Sequence, residues 1–363
     1  MCSTEKLEWG LVIATYKREA ILPRCLRLAA QQTVSPKEII VVDASPYWEK
    51  TRAKIMQELA VKYPAIEWKY VQAERASSAT QRNQGIDLAT ADVLFLIDDD
   101  TLIYPDCAEE IMNIYTHDIA HQVVGIRGTP AQLPPDKPVQ KLDNKQLSKF
   151  KDKTKIILYK LRKVVGNAVD LVVMNPKEDF IPYDFCSFSQ QPLPEEIKNL
   201  AVCQVPIMQG AYMTFRRRII KRARFEDILV RYATSEDTDA CCRASRFGMM
   251  LHALKAQMWH SPISHRVVSR YTFTVMRALN IAVLHKLHSI DVTRSKKLIV
   301  KFFWRRLVDA TIRDILTLRW SLPSTRGYLF AYRYYDKIFS MNPEELRAWY
   351  PGFQQILFDK DGS

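Results

Sequence analysis

Four short apolar runs alternate with amphipathic stretches over the first hundred residues, and this alternation constrains the fold more than any other feature of the chain. The runs are Leu11–Ala14, Ile39–Val42, Trp68–Val71 and Val93–Ile97. Between the first two, Ile21, Leu22, Leu26 and Leu28 fall at helical spacing up to Gln32, and Ile55, Met56, Leu59 and Ala60 mark the apolar side of a helix across Trp48–Lys62. Strand, helix, strand, helix at such intervals predicts a parallel, doubly wound sheet. Val93–Ile97, apolar throughout instead of alternating, has the pattern of a strand covered on both faces.

Later signals are less regular. ASSATQRNQGIDLAT reads as a polar loop leading into a helix, Val123–Gly128 as a strand, VPIMQGAYMTFRRRII as a strand entering a helix, and TSEDTDACCRASRFG as a helix with Gly248 past its end. From Pro130 to about Asn199 the pattern weakens around Pro134, Pro135, Pro138, Pro192 and Pro194 and the basic stretch KDKTKIILYKLRKVVG. Beyond His265, Lys and Arg are spaced between apolar residues, and Leu298, Phe302, Leu307 and Ile315 suit one apolar stripe beside a basic face. These shifts divide the chain into a first half-domain (1–130), an insertion (131–200), a second half-domain (201–265) and a helical, basic extension (266–363).

With 47% hydrophobic residues the 363-residue chain can bury a sizeable core. Its 53 Lys and Arg against 40 Asp and Glu favour anionic partners such as nucleotides, nucleic acid or anionic lipid. The start, MCSTEKLEWG, shows no secretory signal, and no stretch has the ~18 consecutive apolar residues of a spanning helix, so a cytoplasmic protein is expected, at most peripheral on the inner face of a membrane. Seven scattered cysteines without a CxxC pair are expected to be reduced thiols, not a zinc site.

In an open parallel sheet, ligands bind at the carboxyl ends of the strands. Thr15-Tyr16-Lys17-Arg18, Asp43-Ala44-Ser45 and Asp98-Asp99-Asp100 each follow a strand and should converge on one crevice. Three adjacent acids raise one another's pKa unless a cation or several donors compensate. One reading is a solvated loop in which Asp99 or Asp100 caps a following helix; the other is a site for Mg²⁺ or Mn²⁺. Neither GxGxxG nor GxxxxGK[ST] follows the first strand, so dinucleotide and P-loop chemistry are unsupported.

ATYKR, VVDAS, TQRNQGI, DVLFLIDDD, MQGAYMTFRR and SEDTDACCRASRFG, in this order, resemble the family 2 glycosyltransferases over roughly residues 9–130 and 203–265. That resemblance implies the GT-A fold, a mostly parallel Rossmann-like sheet flanked by helices, and an inverting transfer of a sugar from a nucleotide diphosphate sugar to an acceptor hydroxyl. It places Thr15, Tyr16 and Arg18 along the nucleotide sugar, Asp43 on the base, Arg82 near the base or phosphates, and Asn83 and Gly85 in a shaping turn. Asp98 would contact the ribose or sugar, Asp100 would hold the Mg²⁺ or Mn²⁺ ion, and Asp99 is the middle acid expected to tolerate change best. Gly210 would let the backbone approach the donor sugar, Asp237 would be the general base with Glu236 beside it, and His260 would be a further metal ligand.

Simpler roles stand beside these: Glu236, Asp237 and Asp239 as first-turn acids of a helix, Gly210 in an ordinary turn, and His260 or His265 as a packed or solvated ring. Arg216, Arg217 and Arg218 suit a solvated face or an acceptor's phosphates. The expected partners are the donor, a glycan or lipid-linked acceptor in surface polysaccharide or glycolipid synthesis, and an anionic membrane surface under the basic extension, which could equally pack on the catalytic domain. Two rivals remain: a sugar-phosphate nucleotidyltransferase, disfavoured because ATYKREAIL lacks glycine, and a basic nucleic-acid-binding protein, for which no RNP-type, KH or zinc motif is present, so nucleic acid is not an expected partner.

Overall fold

The structure, a computed structural model, describes residues 6–136, 180–186, 190–231, 233–261 and 268–360. The basic stretch at 151–166 and His265 lie outside the described residues. Two compact units result, one drawing its described residues from 6–136 and 186–261, the other from 180–185 and 268–360.

In the first unit the apolar runs become β1 (Trp9–Thr15), β2 (Glu38–Asp43), β3 (Glu67–Gln72) and β4 (Val93–Phe95), joined through α1 (Leu22–Ala30), α2 (Trp48–Ile55, continued by a π turn at Met56–Ala60) and α3 (Ser78–Leu88). β1 pairs in parallel with β2 and β4, and β2 with β3. Thr15 lies opposite Asp43 and Asp43 opposite Gln72, so three strands end flush on one rim. Leu11, Ile13, Ile39, Val41, Val93 and Phe95 are buried in one cluster with Leu22 and Leu26 of α1.

The apolar run Val93–Ile97 forms strand only to Phe95: Leu96 N–H donates to the Met213 carbonyl (3.0 Å), and Leu96 and Ile97 stay buried as the chain leaves the ladder. β5 (Thr101–Ile103) then precedes α4 (Cys107–His117), whose N-cap position is Asp106, so Asp99 and Asp100 do not cap a helix. The sheet continues through β6 (Val123–Pro130), β7 (Val202–Gln204), β8 (Met213–Arg216) and β9 (Met249–His260), with α5 (Arg217–Ala223) and α6 (Glu236–Ala244) after β8. Its order is β3-β2-β1-β4-β8-β6-β9-β5, with β7 added on β9. β8 runs antiparallel to β4 and β6, and β5 and β7 antiparallel to β9, so the sheet is parallel on one side and mixed on the other.

Two sequence readings change here. Gly85 lies inside α3, not in a turn: a Cβ there would meet Val12 Cγ1 at 2.3 Å, so glycine lets the helix press onto β1. Arg216 is neither solvated nor free for phosphates, since it is buried and paired with the equally buried Asp118 (3.0 Å).

The second unit is helical: α7 (Arg270–His288), α8 (Val292–Leu316), α9 (Pro323–Ser340) and α10 (Pro343–Lys360). α7 is buried along most of its length, and its Asn280 accepts hydrogen bonds from Tyr350 and Gln354 of α10. The expected stripe on α8 is wrong. Of its four residues only Phe302 is buried; Leu298 and Ile315 are exposed, and the inner face instead carries Ile299, Phe302, Phe303, Ala310 and two acids, Asp309 and Asp314. Asp314 accepts from the Ser324 and Thr325 amides at the start of α9 (2.8 and 3.1 Å), where an N-terminus needs acceptors. Among the described residues no helix is long and apolar enough to cross a membrane.

Candidate functional site

The rim where β1 and β2 end is held by side chains from α3 and β3. Ser77 caps α3 through the Thr80 amide, and one turn on Gln81 Nε2 donates to the Thr15 and Val42 carbonyls (both 2.8 Å), fastening the helix across the two strand ends. Asp43 is buried and accepts from Tyr70 Oη (2.6 Å) and its neighbour Ser45 N–H (2.7 Å). Ser45 Oγ in turn accepts from the Lys17 amide at 2.7 Å, and Lys17 takes the left-handed φ of 55°. Tyr16, before it, is 45% exposed with the Lys17 ammonium over its ring.

Three residues of the acidic loop have separate surroundings. Asp99 is buried, accepts from Thr15 Oγ1 (2.7 Å) and lies 3.8 Å from Arg18 Nε. Burial pushes its pKa up to about 7 against the Thr15 hydrogen bond and the Arg18 charge. Through these contacts it braces the acidic loop against the end of β1. Asp98 is partly exposed and its pKa is raised, chiefly by burial of its carboxylate, with Arg82 and His260 opposing and Asp100 adding to the rise.

His260 reaches this loop because β9 pairs with β5: Thr101 lies opposite His260, which brings the ring beside the residue preceding Thr101. His260 Nε2 is 3.0 Å from Asp100 Oδ1 and 3.7 Å from Asp98 Oδ2. The hydrogen bond to Asp100 raises the His260 pKa. Asp98, Asp100 and His260 each offer one ligand atom, all within 4.8 Å of one another. Two carboxylates and an imidazole suit a small divalent cation that keeps open positions, so the donor set fits the metal that the sequence implies and adds Asp98 to Asp100 and His260.

The far side is built by α6 and joined through Arg82. Arg82 is buried; its Nη2 donates to Asp98 Oδ1 (2.7 Å) and its Nη1 is paired with Glu236 Oε1. Glu236 Oε2 accepts from Ser78 Oγ (2.8 Å), and burial lifts the Glu236 pKa to about 7 in spite of Arg82. Arg82 keeps its charge because Glu236 and Asp98 outweigh its desolvation. Asp237 accepts from Gly210 N–H at Oδ2 (2.9 Å) and from Thr238 N–H at Oδ1 (2.7 Å). A Cβ on Gly210 would stand 3.3 Å from Arg82 Nη2 and 3.5 Å from Asp237 Oδ2, so the glycine lets this loop close on both groups. Glu236, Asp237 and Asp239 are also first-turn acids of α6, so the helix-terminus role holds together with the network.

The structure thus gathers Asp98, Asp100, His260, Arg82, Glu236, Asp237 and Gly210 into one connected set, with Thr15, Arg18 and Asp99 beside it. Asn83 is spent elsewhere: its amide makes a reciprocal pair with the Phe225 backbone (2.8 and 2.9 Å), which ties α3 to the segment after α5. Sequence reasoning missed Ser78, Gln81 and Tyr70, which hold the named residues, and Tyr212. The Tyr212 ring packs edge-on to His260, centroids 6.2 Å apart, and its phenol pKa is raised by burial, with Asp98 and Asp100 adding to the rise and Arg127 opposing. Arg127 of β6 has a buried Nε without a hydrogen-bond partner among the described residues. Ser78 and Gln81 flank Arg82 within SSATQRNQG, the one signal that could have found them.

A family model described as "Glycosyl transferase family 2" matches residues 11–224. The putative glycosyltransferase EpsH of Bacillus subtilis (strain 168) is 29% identical over 110 residues, 28% of this chain and 29% of its own, so the chain spans under a third of that curated relative. Among solved structures, the mannosyltransferase PcManGT from Pyrobaculum calidifontis, in complex with GDP-Man and Mn²⁺, is 14% identical with a TM-score of 0.47, over 98% of this chain and 86% of that one. S. aureus TarS 1-349 in complex with UDP is 13% identical with a TM-score of 0.46, over 91% and 92% of the two chains.

Proposed function

Since the chain belongs to glycosyl transferase family 2, we propose that it moves a sugar from a nucleotide diphosphate sugar to an acceptor hydroxyl with inversion, at the crevice shared by the acidic loop, β9 and α6. Its fold is the GT-A-like glycosyltransferase fold, a mixed sheet with flanking helices and a helical carboxyl-terminal region. The observation that carries the reading is Arg82: one buried guanidinium joins Asp98 of the cation cluster to Glu236 beside Asp237.

In this reading Asp237 is the general base. The acceptor oxygen bonds to the anomeric carbon on the face opposite the departing diphosphate, and its proton passes to the Asp237 carboxylate. The Gly210 amide at Oδ2 and the Thr238 amide and hydroxyl at Oδ1 fix that carboxylate, leaving a lone pair on Oδ2 for the incoming hydroxyl. Asp98, Asp100 and His260 would hold Mn²⁺ or Mg²⁺, which when bound neutralises charge developing on the diphosphate. Asp43 and Tyr16 serve the nucleotide at the rim, and Arg82 and Glu236 keep the two sides of the crevice in register. The acceptor is a glycan or a lipid-linked glycan, in surface polysaccharide or glycolipid synthesis, a class that rests on the family resemblance.

Nuclear magnetic resonance of the product formed from a panel of nucleotide diphosphate sugars with Mn²⁺ tests the reaction. The anomeric configuration should be opposite to the donor's, and Asp237→Asn should lower turnover about 10²–10⁴-fold while donor affinity changes little. Retention of configuration, full turnover by Asp237→Asn, or pyrophosphate release from a nucleoside triphosphate and a sugar phosphate would each overturn it.

A further inference from the structure

In the helical unit, α8 presents one face that the unit's described residues do not cover. Inner positions Ile299, Phe302, Phe303 and Ala310 are buried. On the opposite side, Lys297, Lys301, Trp304, Val308 and Ile315 fall at i, i+4, i+7, i+11 and i+18, one stripe at 3.6 residues per turn. Trp304 is 52% exposed, and Val308 and Ile315 are about as open; the turn that follows adds Trp320, 73% exposed. Large apolar side chains in one exposed stripe differ from the scattered ones that any surface carries.

The charge on the same helix is equally one-sided. α8 has seven Lys and Arg and only two acids, and both acids, Asp309 and Asp314, are buried: Asp309 accepts from Arg313 (2.7 Å) and Asp314 from the start of α9. What faces outward near the stripe is cationic. Lys297 and Lys301 on it and Arg305 beside it are exposed and have no ion-pair partner among the described residues. Trp304 also packs against Tyr332 of α9, ring centroids 5.5 Å apart, so an aromatic seam borders the stripe.

We infer that this face of α8 docks on an anionic lipid surface, Trp304, Val308 and Ile315 entering the interface while Lys297, Lys301 and Arg305 meet lipid phosphates. The chemistry of the face selects that occupant. A bilayer boundary takes aliphatic and indole side chains together with cations, which is the mixture present. A polynucleotide rewards the cations but offers nothing to Val308 and Ile315. A second copy of the same face would bring like charges together.

The test uses the full chain and vesicles of phosphatidylcholine, with and without about one-third phosphatidylglycerol, in cosedimentation at ~150 mM salt. Binding should require the anionic lipid. The triple variant Lys297→Gln/Lys301→Gln/Arg305→Gln should bind about a hundredfold less, since each cation near the surface is worth about fivefold. Trp304→Ser/Val308→Ser should also weaken binding at least tenfold while the cooperative thermal transition and the helical circular dichroism of the fold are retained. No binding to anionic vesicles, or retention of wild-type binding by either variant, overturns the inference; so does tight binding of duplex or single-stranded nucleic acid in place of vesicles at that salt. Nucleotide sugar turnover with a soluble acceptor should be equal in all three proteins, which separates failure here from failure of the transferase reading.

Discussion

The two parts of the crevice treat their polar groups differently. At the ends of β1 and β2, Asp43 receives Tyr70 and Ser45, Gln81 spans two carbonyls, and Thr15 serves Asp99. At the acidic loop, Asp98 and Asp100 crowd on His260, and Arg82, the cation beside Asp98, is shared with Glu236. The rim is closed by the protein's own donors, whereas at the cluster burial, with the Asp100 charge adding, keeps the Asp98 pKa raised. Perturbed acids in a cleft mark places where function overrides stability. The contrast teaches where the chain expects a ligand to finish its electrostatics.

Removing Arg82 should break the open side most severely. Arg82→Met leaves Glu236 and Asp98 facing each other without their shared cation, and loss of one member of a buried ion network costs about 3–5 kcal/mol, read by denaturant titration. A loss below about 1 kcal/mol would mean that the network does not hold α3 and α6 together. On the closed side, Asp99→Ala strips the acceptor from buried Thr15 and should cost about 1–3 kcal/mol, as should Asp43→Ala through Tyr70. A silent Asp99→Ala would return that residue to the tolerant role expected from its middle position.

The contrast can be sharpened further through the pH dependence of stability. Glu236 and Asp99 both titrate near 7 in the folded protein, above the ordinary carboxylate range. Between about pH 4.5 and 7 the folded form therefore holds protons that the unfolded chain has released. Stability should fall as pH rises through that window, at up to about 1.4 kcal/mol per pH unit for each fully retained proton. Glu236→Gln should flatten the slope measured at pH 5, 6 and 7; an unaltered slope would show Glu236 ionised throughout.

Much of the parallel half was legible because β1, β2 and β4 are uninterrupted apolar runs and the helices after β1 and β2 place apolar residues at helical spacing. The mixed half was not. β9 reads MMLHALKAQMWH, rich in Met, Ala, Lys and Gln, residues of low strand preference, and becomes strand through its place between β6 and β5. That strand carries His260 to Asp100, so the residue could be named from the resemblance but its reach could not be derived. The contact of Asp99 with Thr15 was not legible because adjacency in sequence says nothing about which carboxylate turns toward Thr15. On α8 the periodicity was real, yet Asp309 and Asp314 took inner positions that hydrophobicity assigns to Leu and Ile.

The central claim is that Asp98, Asp100 and His260 form the divalent cation site on which donor binding depends. Calorimetric titration of Mn²⁺, in the presence of a nucleoside diphosphate, into the wild type and into Asp100→Asn and His260→Gln tests it most directly. Affinity should fall at least about a hundredfold for Asp100→Asn and tenfold or more for His260→Gln, since each loses a direct ligand where even an outer-shell partner is worth 10–100-fold. Unchanged Mn²⁺ affinity in both variants would contradict it.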